Sequence, residues 1–143
     1  MLYTLRSSGK KYAYDSASGA VIQLNALQFK MLGAIIPPLT AVCPTSLRYE
    51  LAKFDSMDVE ETYESIYALA CDGLLYKEDD GVIRISTEGE NACTDIALAG
   101  ELLGLAFPGA PAEVGFEVVG NTLAEELKAV AVGEAVKAGK KII

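Results

Sequence analysis

The sequence predicts an α+β fold, and three observations predict it. Short segments before residue 25 alternate apolar and polar residues, two closely spaced helical patterns lie between residues 45 and 72, and a strand-like pair with its own turn follows directly. Apolar residues with period two mark strands, and recurrence every three to four positions marks helices. Helix, turn, helix and two-stranded hairpin, in that order, is the arrangement of a winged helix-turn-helix. Strands precede it at the N-terminus, and a strand-helix appendage follows it.

Each element has its own local signal. Tyr12-Ala13-Tyr14-Asp15 and Ala20-Val21-Ile22-Gln23-Leu24 flank Ser16-Ala17-Ser18-Gly19, a small polar turn ending in glycine. Residues 2 to 5 are expected to pair with the Tyr12 strand across Ser7-Ser8-Gly9-Lys10, giving a β-hairpin or a three-stranded meander. Asn25 opens a helix as N-cap, with Gln28 completing a capping box and Leu24 and Phe29 forming a hydrophobic staple. Leu27, Met31, Leu32 and Ile35 provide its apolar face, and Pro37-Pro38 stops it. Thr45 or Ser46 caps a short helix to about Phe54, with Leu47 and Leu51 facing inward. Asp55-Ser56-Met57 is the turn, and Asp58 with Glu61 caps a third helix over residues 58 to 72. Val59, Tyr63, Ile66, Ala70 and Leu74 make its buried stripe, and Gly73 ends it. Residues 74 to 86 read as the wing, with Asp79-Asp80-Gly81 at its tip. Thr87 and Glu90 form a further capping box for a helix to about Ala106.

The chain divides at residue 106 on this reading: 1–106 is the winged-helix domain, and 107–143 is a linker plus a strand-helix extension. Pro108-Gly109-Ala110-Pro111 is the linker, residues 114 to 120 the strand, and Thr122 with Glu125 caps the last helix, which Gly139 ends. Dimerisation is one use for such an arm.

Composition narrows the function classes. An apolar fraction of 51% supplies a core, so wholesale disorder is excluded. No apolar run approaches the ~20 residues of a membrane span. The first residues lack the basic head and apolar stretch of a signal peptide. The 3 cysteines, Cys43, Cys71 and Cys93, are odd in number and widely spaced, which argues against a disulfide framework or a zinc site. A cytoplasmic location without membrane contact is therefore expected. Histidine is absent, removing the commonest general base and metal ligand. Catalysis is not expected, nor is a cofactor or metal.

The charge of −8 implies repulsion from phosphate backbones, and the third helix sharpens the point. It carries Asp58, Glu60, Glu61, Glu64 and Asp72 with no Lys or Arg. Base readout relies on Arg, Lys, Asn and Gln, and affinity on neutralising phosphates. Arg48, Lys53, Lys77 and Arg84 are the only plausible phosphate contacts, a thin footprint that a dimer would double. A dimeric DNA-binding regulator is thus the alternative, and a peptide or protein partner the first expectation. The glutamates also admit a plainer reading, as a solvated helix face.

Two resemblances bear on these residues. The strand-turn-strand from Tyr12 to Leu24, the helix opening Leu24-Asn25-Ala26-Leu27-Gln28 and the stretch from Val59 through Asp72-Gly73-Leu74-Leu75 resemble PqqD-like RiPP recognition elements. This match spans residues 12–75, and such elements also occur at the N-terminus of some radical-SAM peptide maturases. Residues 46–90 look like MarR- or PadR-type regulators, with Cys71-Asp72-Gly73-Leu74-Leu75 before the wing and Ile85-Ser86-Thr87-Glu88-Gly89-Glu90 after it. The first resemblance implies a leader peptide added as a strand beside the third helix. It would lie against Ala20, Val21, Ile22, Gln23 and Leu24, with Glu60, Glu61 and Glu64 on the other wall favouring a basic or amphipathic peptide.

Overall fold

The computed structural model describes residues 1–143 and is α+β, with two small sheets. Strands β1 (Leu2–Ser7), β2 (Lys10–Asp15) and β3 (Val21–Leu24) form an antiparallel meander in the order β1-β2-β3. Of the two arrangements open from sequence, the meander is the one that forms. Helices α1 (Ala26–Ala34), α2 (Thr45–Glu50) and α3 (Ser56–Cys71) follow. The second sheet contains β4 (Val82–Ser86), β5 (Glu113–Val119) and β6 (Lys141–Ile142), all parallel, with β5 in the middle. Its crossovers carry α4 (Ile96–Ala106) and α5 (Ala124–Lys137).

Side-chain alternation along the meander explains how two cores coexist. Ala13 and Leu24 face a first core built from α1, α2 and α3, around Met31, Leu47, Tyr63 and Leu75. Tyr14 and its cross-strand partner Val21 point the other way, into a second core of β4, β5, α4 and α5 around Ile85, Leu102, Phe107 and Leu127. The period of two thus makes one sheet a wall shared by both cores.

Several local signals hold. Asn25 caps α1, its Oδ1 accepting from Gln28 N–H at 2.8 Å while Gln28 Oε1 accepts from Asn25 N–H at 2.8 Å. Gly139 adopts φ 71° just after α5. Other boundaries shift. The cap of α3 is Asp55, whose Oδ1 accepts from Met57 and Asp58 N–H, so the helix begins at Ser56 rather than at Asp58. Helix α2 stops at Glu50, short of Phe54, and Pro44 offers it no side-chain cap.

The two-stranded wing is not formed. Residues 74 to 80 contain no strand. The β2–β3 turn holds this stretch instead: Ser18 Oγ donates to Leu74 O at 2.7 Å, and Lys77 N–H donates to Asp15 Oδ2 at 3.1 Å. Leu75 is buried in the first core. β4 is paired on one side with β5, and on the other Arg84 and Ser86 N–H donate to Ser16 O and Gly19 O, both at 2.8 Å. Asp79-Asp80-Gly81 is therefore a bend leading into a parallel sheet, where pairing is non-local and carries no hairpin signal.

The helix expected from Thr87 begins only at Ile96, capped by Asp95 Oδ1 accepting from Ala97 N–H at 2.9 Å. Thr87 is buried, with its hydroxyl on Val119 O, and Glu88 Oε1 accepts from Asn121 N–H at 3.0 Å across the sheet's end. Thr122 likewise does not cap α5, whose N-cap is Leu123 at φ 59°. Residues 107 to 143 are built into the second core rather than tethered beside it. Phe107 is fully buried in a 3₁₀ turn, and β5 is the central strand.

Candidate functional site

Helix α2 buries Leu47, Leu51 is buried at its C-cap, and the turn through Phe54 leads to Asp55, which caps α3. Between the two helices an open cleft of about 330 Å³ remains. Leu51, Phe54, Met57 and Val59 form its apolar lining, and Arg48, Glu60 and Glu61 its charged rim. Leu51 and Val59 are themselves core residues, whereas Met57 is 69% exposed. Methionine at such a position adapts to irregular apolar partners. Ile36, Val42 and Tyr49, on α2 and the loop before it, are also exposed.

The rim is net acidic. Arg48 forms an ion pair with Glu60. No ion pair of the chain involves Glu61 or Glu64, and both are exposed. Behind the rim, Cys43 is buried with Arg48 beside it. Burial pushes its thiol up, with the guanidinium opposing, so the thiol form prevails. Cys93 is likewise pushed up by burial, and Cys71 is exposed near the end of α3. No three or more Cys, Asp or Glu side chains converge in a metal-ligand arrangement, and no helix is long and apolar enough to cross a membrane.

The residues anticipated to receive a peptide strand lie on β3 and the turn before it, an edge of the meander, and not in this cleft. None of Ala20, Val21, Ile22, Gln23 or Leu24 lines the cleft that Glu60 and Glu61 border. Ala20 belongs to the turn, its carbonyl accepting from Asp15 N–H at 3.1 Å. Val21 N–H points away from β2 and donates to Asn91 O at 3.1 Å, so the chain's own loop occupies the start of the edge. Alternation turns Ile22 and Leu24 toward β2 and leaves Gln23, which is exposed, as the one outward-facing residue of the remaining edge.

Two of the four cations assigned to DNA contact are already neutralised. Arg48 pairs with Glu60. Arg84 bonds Asp80 Oδ2 at 2.8 Å, Glu117 Oε2 at 3.1 Å and Ala17 O at 2.7 Å. The Arg84 guanidinium in turn holds the Asp80 carboxyl below the usual carboxylate range. Lys53 and Lys77 are exposed, Lys53 just after α2 and Lys77 in the segment before β4.

Met57 and Phe54 are not singled out from sequence, because Met57 reads as part of a turn and Phe54 as the end of the preceding helix; an apolar pair bracketing a polar helix start was the available signal. Asp15 was also missed. It is fully buried, and its Oδ1 accepts from Ala17 N–H at 2.9 Å and Ser18 N–H at 3.1 Å while Oδ2 holds Lys77 N–H. Comparison with protein-family models and with curated proteins finds no match to this sequence.

Proposed function

We propose that this chain is a non-catalytic binding module that receives a basic, amphipathic segment of a peptide or protein partner in the cleft between α2 and α3. One observation carries the reading: an apolar floor open to solvent is bordered by Glu60 and Glu61 on a chain of net charge −8. An apolar anchor on the partner would displace water from Leu51, Phe54 and Met57, and Lys or Arg beside it would meet Glu61 and compete with Arg48 for Glu60. The helix-in-groove mode suits this shape better than strand addition, which has only Gln23 left to pair with. A leader peptide with this chemistry, of the kind bound by the recognition elements that residues 12–75 resemble, is one such partner.

Selection from a random peptide display library tests the proposal. Enriched peptides are expected to place Lys or Arg around Leu, Met or Phe. Ala52→Trp, which fills the cleft from an exposed position, is expected to abolish their binding, and Glu60→Gln with Glu61→Gln to weaken it by about 2- to 10-fold. Enrichment of acidic or purely polar peptides, or binding indifferent to Ala52→Trp, would overturn it.

A further inference from the structure

Helix α5 turns Leu127, Ala131 and Ala135 into the second core. Its opposite face consists of Ala129, Val132, Gly133 and Val136, all exposed, with Val132 at 54% and Val136 at 71%. Two valines one turn apart in water form an unpartnered apolar stripe.

The charges at its ends say what fits there. Glu125 and Glu126 occupy the first turn; Lys137 ends the helix, and Lys140 and Lys141 follow. Within the chain, Lys128 reaches Glu125 only at 3.9 Å and Lys137 pairs with Glu134 at 3.3 Å, while Glu126, Lys140 and Lys141 enter no ion pair. A helix acidic at its start and followed by two unpaired lysines at its end complements a second copy of itself only in the antiparallel sense.

We propose that α5 is the contact face of an antiparallel, two-fold homodimer of this chain. An axis passing between Val132 and Gly133 places Ala129 against the partner's Val136 and the acidic first turn of one copy beside the end of the other, where Lys140 follows the helix. At 1.5 Å of rise per residue Glu125 lies about 11 Å from the axis, and the partner's Lys140 leaves its helix at that same end of the contact. Gly133 has no Cβ to hold the backbones apart, and the space over it is open within the chain. The same patch serves both copies, so the assembly closes at two. One helix face is smaller than a standard interface, which sets the expected dissociation constant at about 10–100 μM.

Sedimentation equilibrium over a concentration series from about 5 to 500 μM tests this. The wild type is expected to shift from monomer to dimer, with weaker association at high salt. Val136→Glu and Gly133→Leu each alter only exposed positions. Both should keep the far-ultraviolet spectrum without lowering the thermal midpoint, while raising the dissociation constant about tenfold or more. Glu125→Lys with Glu126→Lys should weaken association, as should Lys137→Glu with Lys140→Glu and Lys141→Glu. An equimolar mixture of these two charge variants should associate again. A wild type that stays monomeric throughout would overturn the proposal. So would a dimer indifferent to Val136→Glu and Gly133→Leu, or charge variants that fail to complement.

Discussion

Replacing Tyr14 by Phe separates two contributions of opposite sign, only one of which depends on pH. The Tyr14 side chain is buried in the second core, and its hydroxyl donates to Arg84 O at 2.5 Å, joining β2 to β4. Phe keeps the ring, so no cavity opens, and the cost at neutral pH is the buried hydrogen bond, about 1–2 kcal/mol. Alkaline pH brings in a second effect. Burial, reinforced by the Asp15 carboxylate, holds the folded-state phenol neutral far above its ordinary value, whereas the unfolded chain ionises it at about pH 10. A raised folded-state pKa contributes stability that is complete below the unfolded value and is lost as pH rises from there toward the folded one. The loss amounts to about 1.4 kcal/mol per pH unit for one group. By about pH 11 the wild type has therefore lost about 1.4 kcal/mol that Tyr14→Phe retains, and the gap between them closes. Tyr76, pushed up to about 12 chiefly by burial, and Tyr3, also raised, act equally in both proteins and cancel. Urea unfolding of both proteins at neutral pH and near pH 11 measures the gap. A gap that stays constant, or widens with pH, refutes the reasoning.

Asp15→Ala strips the acceptor from the amides of Ala17, Ser18 and Lys77 around a fully buried site. It should cost about 3–5 kcal/mol in urea unfolding, and a loss below 1 kcal/mol would mean that water or a shifted loop replaces the carboxylate. Gly19→Ala should cost about 2–4 kcal/mol, because Gly19 sits at φ +86° and a Cβ would lie 3.1 Å from the backbone nitrogens of Ile85 and Ser86. Thermal unfolding reads this directly, and an unchanged midpoint would show that the turn can move off β4.

Much of the first half of the fold was legible because its determinants are local. The Asn25–Gln28 box, the small polar turn before Gly19 and the stripe of Val59, Tyr63 and Ile66 each specify structure within a few residues. The second half depends on contacts that no short window contains. β4 pairs with β5 some thirty residues away, register Ile83↔Phe116, and Arg84 and Ser86 bond the β2–β3 turn from the other side. A strand followed by polar residues and glycine then reads as a hairpin whether its partner is near or far. Thr87 and Glu88 illustrate the same competition. Their sequence spells a helix start, but the Thr87 hydroxyl is drawn to Val119 O and Glu88 to Asn121, and the helix waits for Asp95. The candidate site was half legible. Glu60 and Glu61 stood out by charge, yet which wall they faced depended on the packing of α2 against α3, and that placed them beside Met57 and Phe54 rather than beside β3.

The most direct measurement of the central claim is an amide chemical-shift titration of the labelled protein with a basic amphipathic peptide taken from the display selection. Binding in the cleft predicts perturbations concentrated from Arg48 to Glu61, with Met57 among the largest, and their loss in Ala52→Trp. Perturbations centred on Gln23 and Asn91, with the α2–α3 amides unmoved, would contradict it and return the interaction to the edge of the meander.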